Sequence, residues 1–200
     1  MRKGFRIIKF KKQKPIFKVK DVSKSYDGRP ILQKINMEMY PGEIVGLLGP
    51  NGSGKSTLYS TVIGEQPADS GKILIKGHDI SEKPIHERAK AGIGYLSQHR
   101  SVFGISVRDN LLGVAQISIK GSENQVALVE KLLDEFNLQH LRNIHSNVLS
   151  GGEVRRLMIA RILINKPSVV LLDESMAALD PIVVQDIQKY ILKLQSYGCA

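Results

Sequence analysis

The stretch from Ile44 to Ile63 constrains this chain more than any other. It opens with a short apolar run, Ile44-Val45-Gly46-Leu47-Leu48, whose composition predicts a buried strand. Gly49-Pro50-Asn51-Gly52-Ser53-Gly54-Lys55-Ser56-Thr57 follows, and Thr57 to Ile63 reads as a helix. Strand, glycine loop and helix in that order supply the context that the G-x-x-x-x-G-K-[ST] phosphate pattern requires. Glycines let the backbone wrap an anion and turn its N–H groups inward. The helix N-terminus adds a partial positive charge of its own. In such a loop Lys55 reaches the terminal phosphates of a nucleoside triphosphate, and the Ser56 hydroxyl holds Mg²⁺.

Two further motifs lie downstream. Val169 to Leu172 is continuously apolar, which predicts a strand buried on both faces. It closes on Asp173 and Glu174. Asp173 suits a Mg²⁺ ion held through water. Glu174 is placed to orient or deprotonate an attacking water, help worth roughly 10²–10⁴-fold. The other motif is Ser150-Gly151-Gly152-Glu153, ahead of helical apolar spacing from Val154 to Asn165. Ser150 is a good N-cap and Glu153 stands at the capping-box position. A cap alone does not need two consecutive glycines, which cost backbone entropy. A serine hydroxyl with bare N–H groups at a helix start forms a second anion site. With a phosphate loop already present, a second site suggests one ligand shared between two copies.

This order of motifs resembles the nucleotide-binding subunits of ABC transporters. Leu149-Ser150-Gly151-Gly152-Glu153 is similar to that family's signature. The resemblance implies an α/β fold: a P-loop NTPase core of the ABC type with a mixed β-sheet, plus a helical subdomain. It implies ATP and Mg²⁺ as cofactors and ATP hydrolysis coupled to transport. Residues Gly49 to Thr57 then hold the phosphates, and Tyr26 resembles the aromatic residue that stacks on adenine. Gln98, closing the run Gly92 to Ser97, resembles the glutamine that senses Mg²⁺ and the γ-phosphate. By this likeness Ser56, Gln98 and Asp173 surround the metal, and Glu174, Gln98 and Lys55 are the catalytic set. Ser150, Gly151 and Gly152 cap the nucleotide of a second copy in a head-to-tail homodimer with ATP sandwiched between. Ala178-Leu179-Asp180 resembles the loop that crosses to that copy, though Asp180 before Pro181 also suits a helix start.

The likeness further implies separate transmembrane subunits, docked in a groove for which His99, Arg100, Phe103 and Val107 are candidates. It implies a cytoplasmic protein, peripheral on the inner face of the cell membrane, with no direct binding of nucleic acid. Four stretches narrow the subgroup: Glu43–Thr57, Ala89–Phe103, Ser106–Leu112 and Leu179–Ile187 look like the ATPases that power bacterial lipopolysaccharide export. The similarity runs over roughly residues 17 to 200. Branched-chain amino-acid importers carry related ATPases, and motifs of ATP handling do not name a cargo.

The pattern departs in two places. Ser175 stands where the family usually has proline after the glutamate. Family members continue past the position of Gly198 into a strand bearing a histidine that contacts the γ-phosphate. Here all five histidines, His78, His86, His99, His140 and His145, precede Asp173. The expectation is therefore a core whose C-terminal strands are missing, with an uncovered sheet edge. A second reading follows, a nucleotide-binding module with little or no turnover. A third is a soluble, non-transport member of the superfamily, although paired cassettes and long coiled-coil insertions are absent.

Charge is uneven. The net charge is +10, yet residues 1–20 hold nine Lys or Arg and no acid, leaving 20 basic against 19 acidic residues elsewhere. Such a head suits anionic lipid, RNA or simple solvation. The lone Cys199 excludes an internal disulfide framework and fits a reducing compartment. No apolar run approaches the roughly 18 residues of a membrane span. Strands are expected over Ile16–Val22, Lys34–Tyr40 and Ser70–Ile75, and helices over Val107–Ala115, Glu123–Phe136 and Gly151–Asn165. The organisation read from this is a basic extension (1–15), a nucleotide core (16–98 and 166–200) and a helical insert (99–165).

Overall fold

The computed structural model describes residues 14–97, 101–173 and 181–200, with backbone alone for 181–187 and 190. β1 (Phe17–Tyr26) and β2 (Arg29–Met39) form an antiparallel hairpin. Its turn is Asp27-Gly28, with φ of 48° and 74°, the Asp-Gly pairing that two-residue hairpin turns favour. β3 (Ser70–Ile75) pairs antiparallel with the other side of β1, and the short β4 (His78–Asp79) follows it. A second sheet holds, among the described residues, β5 (Ile93–Leu96) and β6 (Val169–Leu172), paired in parallel from Ile93↔Val169 to Leu96↔Leu172. The mixed pairing expected from sequence is thus divided, antiparallel in one sheet and parallel in the other.

Six α-helices, α1 (Lys55–Ile63), α2 (Ile85–Ala91), α3 (Val107–Ser118), α4 (Ser122–Glu135), α5 (Gly151–Leu163) and α6 (Pro181–Ser196), and two short 3-10 turns, Gln139–Leu141 and Ser146–Val148, complete the described elements. Two apolar cores result. The first joins the antiparallel sheet to α1, through Phe17, Val19, Ile73, Leu58 and Val62. The second joins α3, α4 and α5, through Leu111, Leu133, Phe136 and Leu157, with Leu194 of α6 against it. β6 belongs to both. Val169 and Leu171 point into the first core, while Val170 and Leu172 pack on the second, so the strand is covered on both faces as its composition predicts. At Gly94 of β5 an added Cβ would lie 2.5 Å from the Ile162 side chain, so the close seat of α5 on this sheet needs glycine there.

One expectation fails. Ile44–Leu48 forms no strand, and Ile44 and Leu48 are 55% and 94% exposed. A strand needs a neighbour to take its N–H and C=O groups. The second edge of β6 is bonded instead to the C-terminal residue: the Val170 amide donates to the Ala200 carbonyl at 2.7 Å, and the Ala200 amide to Ser168 at 2.9 Å. A cavity of about 120 Å³ lies between Ile44, Val45 and Leu47 on one side and Leu171 and Leu194 on the other.

α2 was not foreseen, and it carries a buried anchor. The Arg88 guanidinium donates to the carbonyls of Thr61 (2.7 Å) and Val62 (2.9 Å) at the C-terminal end of α1. It also donates to Lys83 (2.7 Å) and Ser81 (2.5 Å). One cation therefore satisfies the orphan carbonyls of a helix end and complements its dipole. At the C-terminus, the Tyr197 hydroxyl donates to both carboxylate oxygens of Glu135 on α4 (2.8 and 2.7 Å), and the Gln195 amide to Gly42 (2.6 Å). Replacing Arg88 by Met keeps the apolar stem but orphans these carbonyls. Urea unfolding should show a loss of at least about 1–3 kcal/mol, with the far-ultraviolet dichroism of the folded chain retained.

Candidate nucleotide site

The loop Gly49–Gly54 leads directly into α1. Gly54 takes φ 93° at the N-cap and offers no side chain to the helix, and the first turn of α1 carries no acid. The N–H groups there are left for an anion. The left-handed φ is one that only glycine adopts without cost. An added Cβ would also press at 3.2 Å on the Ile31 and Leu32 side chains of β2, so the loop sits down on the sheet. Lys55 bridges the loop mouth, its ammonium donating to the carbonyls of Gly49 (2.7 Å) and Pro50 (2.9 Å). Pro50, Asn51, Gly52, Ser53 and Ser56 are exposed, while Thr57 is half-buried.

Asp173 sits at the end of β6, half-buried. Its amide donates to Leu96 at 3.1 Å, extending the parallel pairing by one residue. The Tyr95 hydroxyl donates to its carboxylate at 3.4 Å, and the Tyr59 hydroxyl to the Leu172 carbonyl at 3.4 Å. Burial first, then the Asp173 carboxylate, pushes the Tyr95 hydroxyl up to about 12. Sequence reasoning missed both tyrosines. The signal was a phenol inside an apolar strand at Tyr95 and inside a helix at Tyr59, since a buried hydroxyl needs a partner.

The third motif forms a full capping box. The Ser150 oxygen accepts from the Glu153 amide, and the Glu153 carboxylate accepts from the Ser150 amide (2.7 Å) and hydroxyl (2.8 Å). Gly151 is exposed and Gly152 buried at the start of α5. One turn on, the Arg155 guanidinium donates to the Ser97 carbonyl at 2.8 Å, tying α5 to the end of β5. The phosphate loop and this turn start helices that pack into different cores.

Tyr26 ends β1, is 40% exposed, and has the Lys24 ammonium 5.4 Å from its ring centre. Gln98, His99, Arg100, Glu174 and the Ala178–Asp180 stretch lie outside the described residues. Of the groove candidates, Phe103 is 59% exposed with Arg161 5.3 Å above its ring. Val107 is a correction. It is fully buried, because the N-cap bond of Ser106 turns the first residue of α3 into the helical core. A cavity of about 360 Å³ lies beside Phe103, lined by Ile63, Ile85, Ala89, Arg161 and Ile162.

The oxygen donors at the phosphate loop fit Mg²⁺, a hard cation that keeps several waters and takes few protein ligands alongside phosphate oxygens. Ser56 offers a hydroxyl and Asp173 a carboxylate, and no cluster of three or more His, Cys, Asp or Glu that could hold a metal occurs among the described residues. No helix among them is long and apolar enough to cross a membrane.

Residues 32–177 match the family described as ABC transporter. A probable ABC transporter ATP-binding protein of Azorhizobium caulinodans is 43% identical over 88% of this chain, which spans 63% of that protein. The lipopolysaccharide export system ATP-binding protein of Escherichia coli K12 is 45% identical over 90% of this chain, which spans 75% of it. Among solved structures, an ATP-binding cassette of an ABC transporter superposes with a TM-score of 0.84 at 27% identity, covering 94% of this chain and 80% of its own. A dimeric, post-hydrolysis cassette bound to ADP and Pi superposes with a TM-score of 0.77 at 27% identity, covering 91% of this chain and 84% of its own.

The capping box makes stability depend on pH. The Ser150 hydroxyl, and after it the Ser150 amide, hold the Glu153 carboxyl below its ordinary range. A folded-state value that is depressed adds stability that is complete above the unfolded carboxylate value of about 4.3. That stability is lost as pH falls through the lower folded value. Glu153→Gln should therefore flatten the acid side of the stability–pH curve. Ser150→Ala should cost about 0.5–2 kcal/mol at neutral pH, measured by urea unfolding.

Proposed function

The chain belongs to the ABC transporter family, and on that premise we propose that it is the ATP-hydrolysing subunit of a lipopolysaccharide exporter. The observation that carries this reading is the 45% identity to the Escherichia coli export protein over 90% of the chain, with the phosphate loop intact at the head of α1. Gly49 to Thr57 hold the triphosphate through backbone amides, Lys55 and the dipole of α1. Ser56, Asp173 and Gln98 hold Mg²⁺, which neutralises charge on the β- and γ-phosphate oxygens when bound. Glu174 orients and deprotonates the attacking water. Tyr26 stacks on the adenine. Positioned charges supply most of the rate.

Ser150, Gly151 and Gly152 cap the nucleotide held by a second copy, so the working unit is a head-to-tail homodimer with two ATP molecules at its interface. Membrane passage belongs to separate subunits, seated beside Phe103 and the α2 face at Ile85 and Ala89. The helical insert (99–165) carries that contact together with the signature turn. This places the protein in the cytoplasm, on the inner face of the membrane.

Phosphate release from Mg-ATP by the purified chain tests the reading. Glu174→Gln should lower turnover by about 10²–10⁴-fold and leave nucleotide binding intact. Lys55→Ala should abolish binding itself. Binding without turnover by the unmodified chain would replace the proposal with the second reading, a nucleotide-binding module. The chain spans 63% to 75% of the length of these relatives.

A further inference from the structure

The described hydrogen bonds around the end of β6 contain two that the phosphate loop and the signature turn do not account for. The Tyr95 hydroxyl reaches the Asp173 carboxylate at 3.4 Å from β5, the neighbouring parallel strand. The Tyr59 hydroxyl reaches the Leu172 carbonyl at 3.4 Å from α1, the helix that starts with Lys55 and Ser56. Asp173 is also held by its own amide, bonded to Leu96. Backbone and side chain of the aspartate are thus tied to one flank of β6, and the residue before it is tied to the phosphate-loop helix.

We propose that Tyr95 and Tyr59 are positioning residues for the metal: Tyr95 fixes the rotamer of Asp173, and Tyr59 sets the spacing between Asp173 and Ser56. The inference rests on the nucleotide-hydrolysing function proposed above. The Tyr95 bond engages one carboxylate oxygen and leaves the other for a Mg²⁺-bound water. Hydrogen bonds of this kind orient ligating carboxylates, and their loss typically costs 10–100-fold in metal affinity. The carboxylate here acts through water and the bond is long, which places the expected effect at the lower end. From β5 the Tyr95 hydroxyl donates to Asp173 across the parallel pair. Tyr59 acts from the other side, on the backbone. Its hydroxyl donates to the carbonyl of Leu172, the residue directly before Asp173. It spans from the second turn of α1 to the strand, so its bond couples the helix carrying the Ser56 hydroxyl to the strand carrying the carboxylate.

Equilibrium binding of a fluorescent ATP analogue at stepped Mg²⁺ concentrations tests this, with thermal unfolding of the same samples. Tyr95→Phe keeps the ring and removes only the hydroxyl. It should raise the Mg²⁺ concentration for half-maximal enhancement of binding by about 10-fold. Affinity in excess EDTA and the unfolding midpoint should stay near those of the unmodified chain. Tyr59→Phe should shift the Mg²⁺ dependence in the same direction by less, and serves alone if Tyr95→Phe does not fold. An unchanged Mg²⁺ dependence in the variants overturns the inference while leaving the functional reading in place. An equal loss of affinity with and without Mg²⁺ also overturns it, because that is the mark of a merely structural role. No nucleotide binding by the unmodified chain overturns both.

Discussion

Strand β6 is four residues long, and both apolar cores close on it. Its period of two sends Val169 and Leu171 into the sheet core and Val170 and Leu172 toward the helical core. A one-residue slip would exchange those sets and move Asp173 off the strand end. Parallel pairing with β5 removes that freedom, and the Asp173 amide bonded to Leu96 extends the ladder to the carboxylate itself. The position of the acidic end is thus a consequence of packing on two sides. No interaction made by the acid has to create it.

From that end, hydrogen bonds lead outward to each of the other motifs. Tyr59 connects β6 to the phosphate-loop helix. Arg155 connects the end of β5 to α5, whose first turn is the Ser150 cap. Arg88 fixes the far end of α1, so the helix is held at both termini. Each bond is worth only about 0.5–1.5 kcal/mol net where both partners are neutral and about 1.5–3 kcal/mol where a guanidinium donates. Their effect is geometric. They leave few independent ways for the loop, the carboxylate and the signature turn to drift apart within one chain.

What the sequence made legible follows from how local each signal is. The bounds of β3 and β6 were read to the residue, and α5 begins at its expected cap, because Ser150 and Glu153 are three positions apart. The Asp27-Gly28 turn is local as well, although the pattern was read there as the site of Tyr26 rather than as a hairpin. Ile44–Leu48 is the opposite case. Its composition is that of a buried strand, but pairing depends on residues more than a hundred positions away, and Ala200 occupies part of the β6 edge. Val107 was misread for a similar reason. Spacing shows which residues share a face of α3, not which core that face meets. The tyrosines escaped notice because a phenol in an apolar strand (Tyr95) or helix (Tyr59) looks like any other large side chain until its partner is placed. Gln98 and Glu174 stand outside the described residues, so the role of Gln98 rests on the family resemblance and that of Glu174 on its place after the apolar run and Asp173.

The division into two cores bears on how the two anion-binding turns are used. α1 builds on the sheet core and α5 on the helical core; the start of α1 carries no cap side chain and no acid, while that of α5 closes on its own capping box. The phosphate loop has everything needed to bind a triphosphate on one side: bare amides, a lysine and a hydroxyl. The signature turn has a serine and two glycines but no lysine, and the hydroxyl of Ser150 is already donating to Glu153. Such a turn is too weak to capture a nucleotide by itself, yet suited to complete the shell around one already held. Pairing two copies about a two-fold axis lets each turn do this for the other's phosphate loop, because an isologous interface makes every such contact twice. On the proposed reading the nucleotide then becomes part of the interface, and its binding stabilises the pair by mass action. On that same reading, hydrolysis removes the γ-phosphate that both turns would share and so weakens both halves of the proposed interface together. The asymmetry between a strong site and a weak cap is what makes that association reversible.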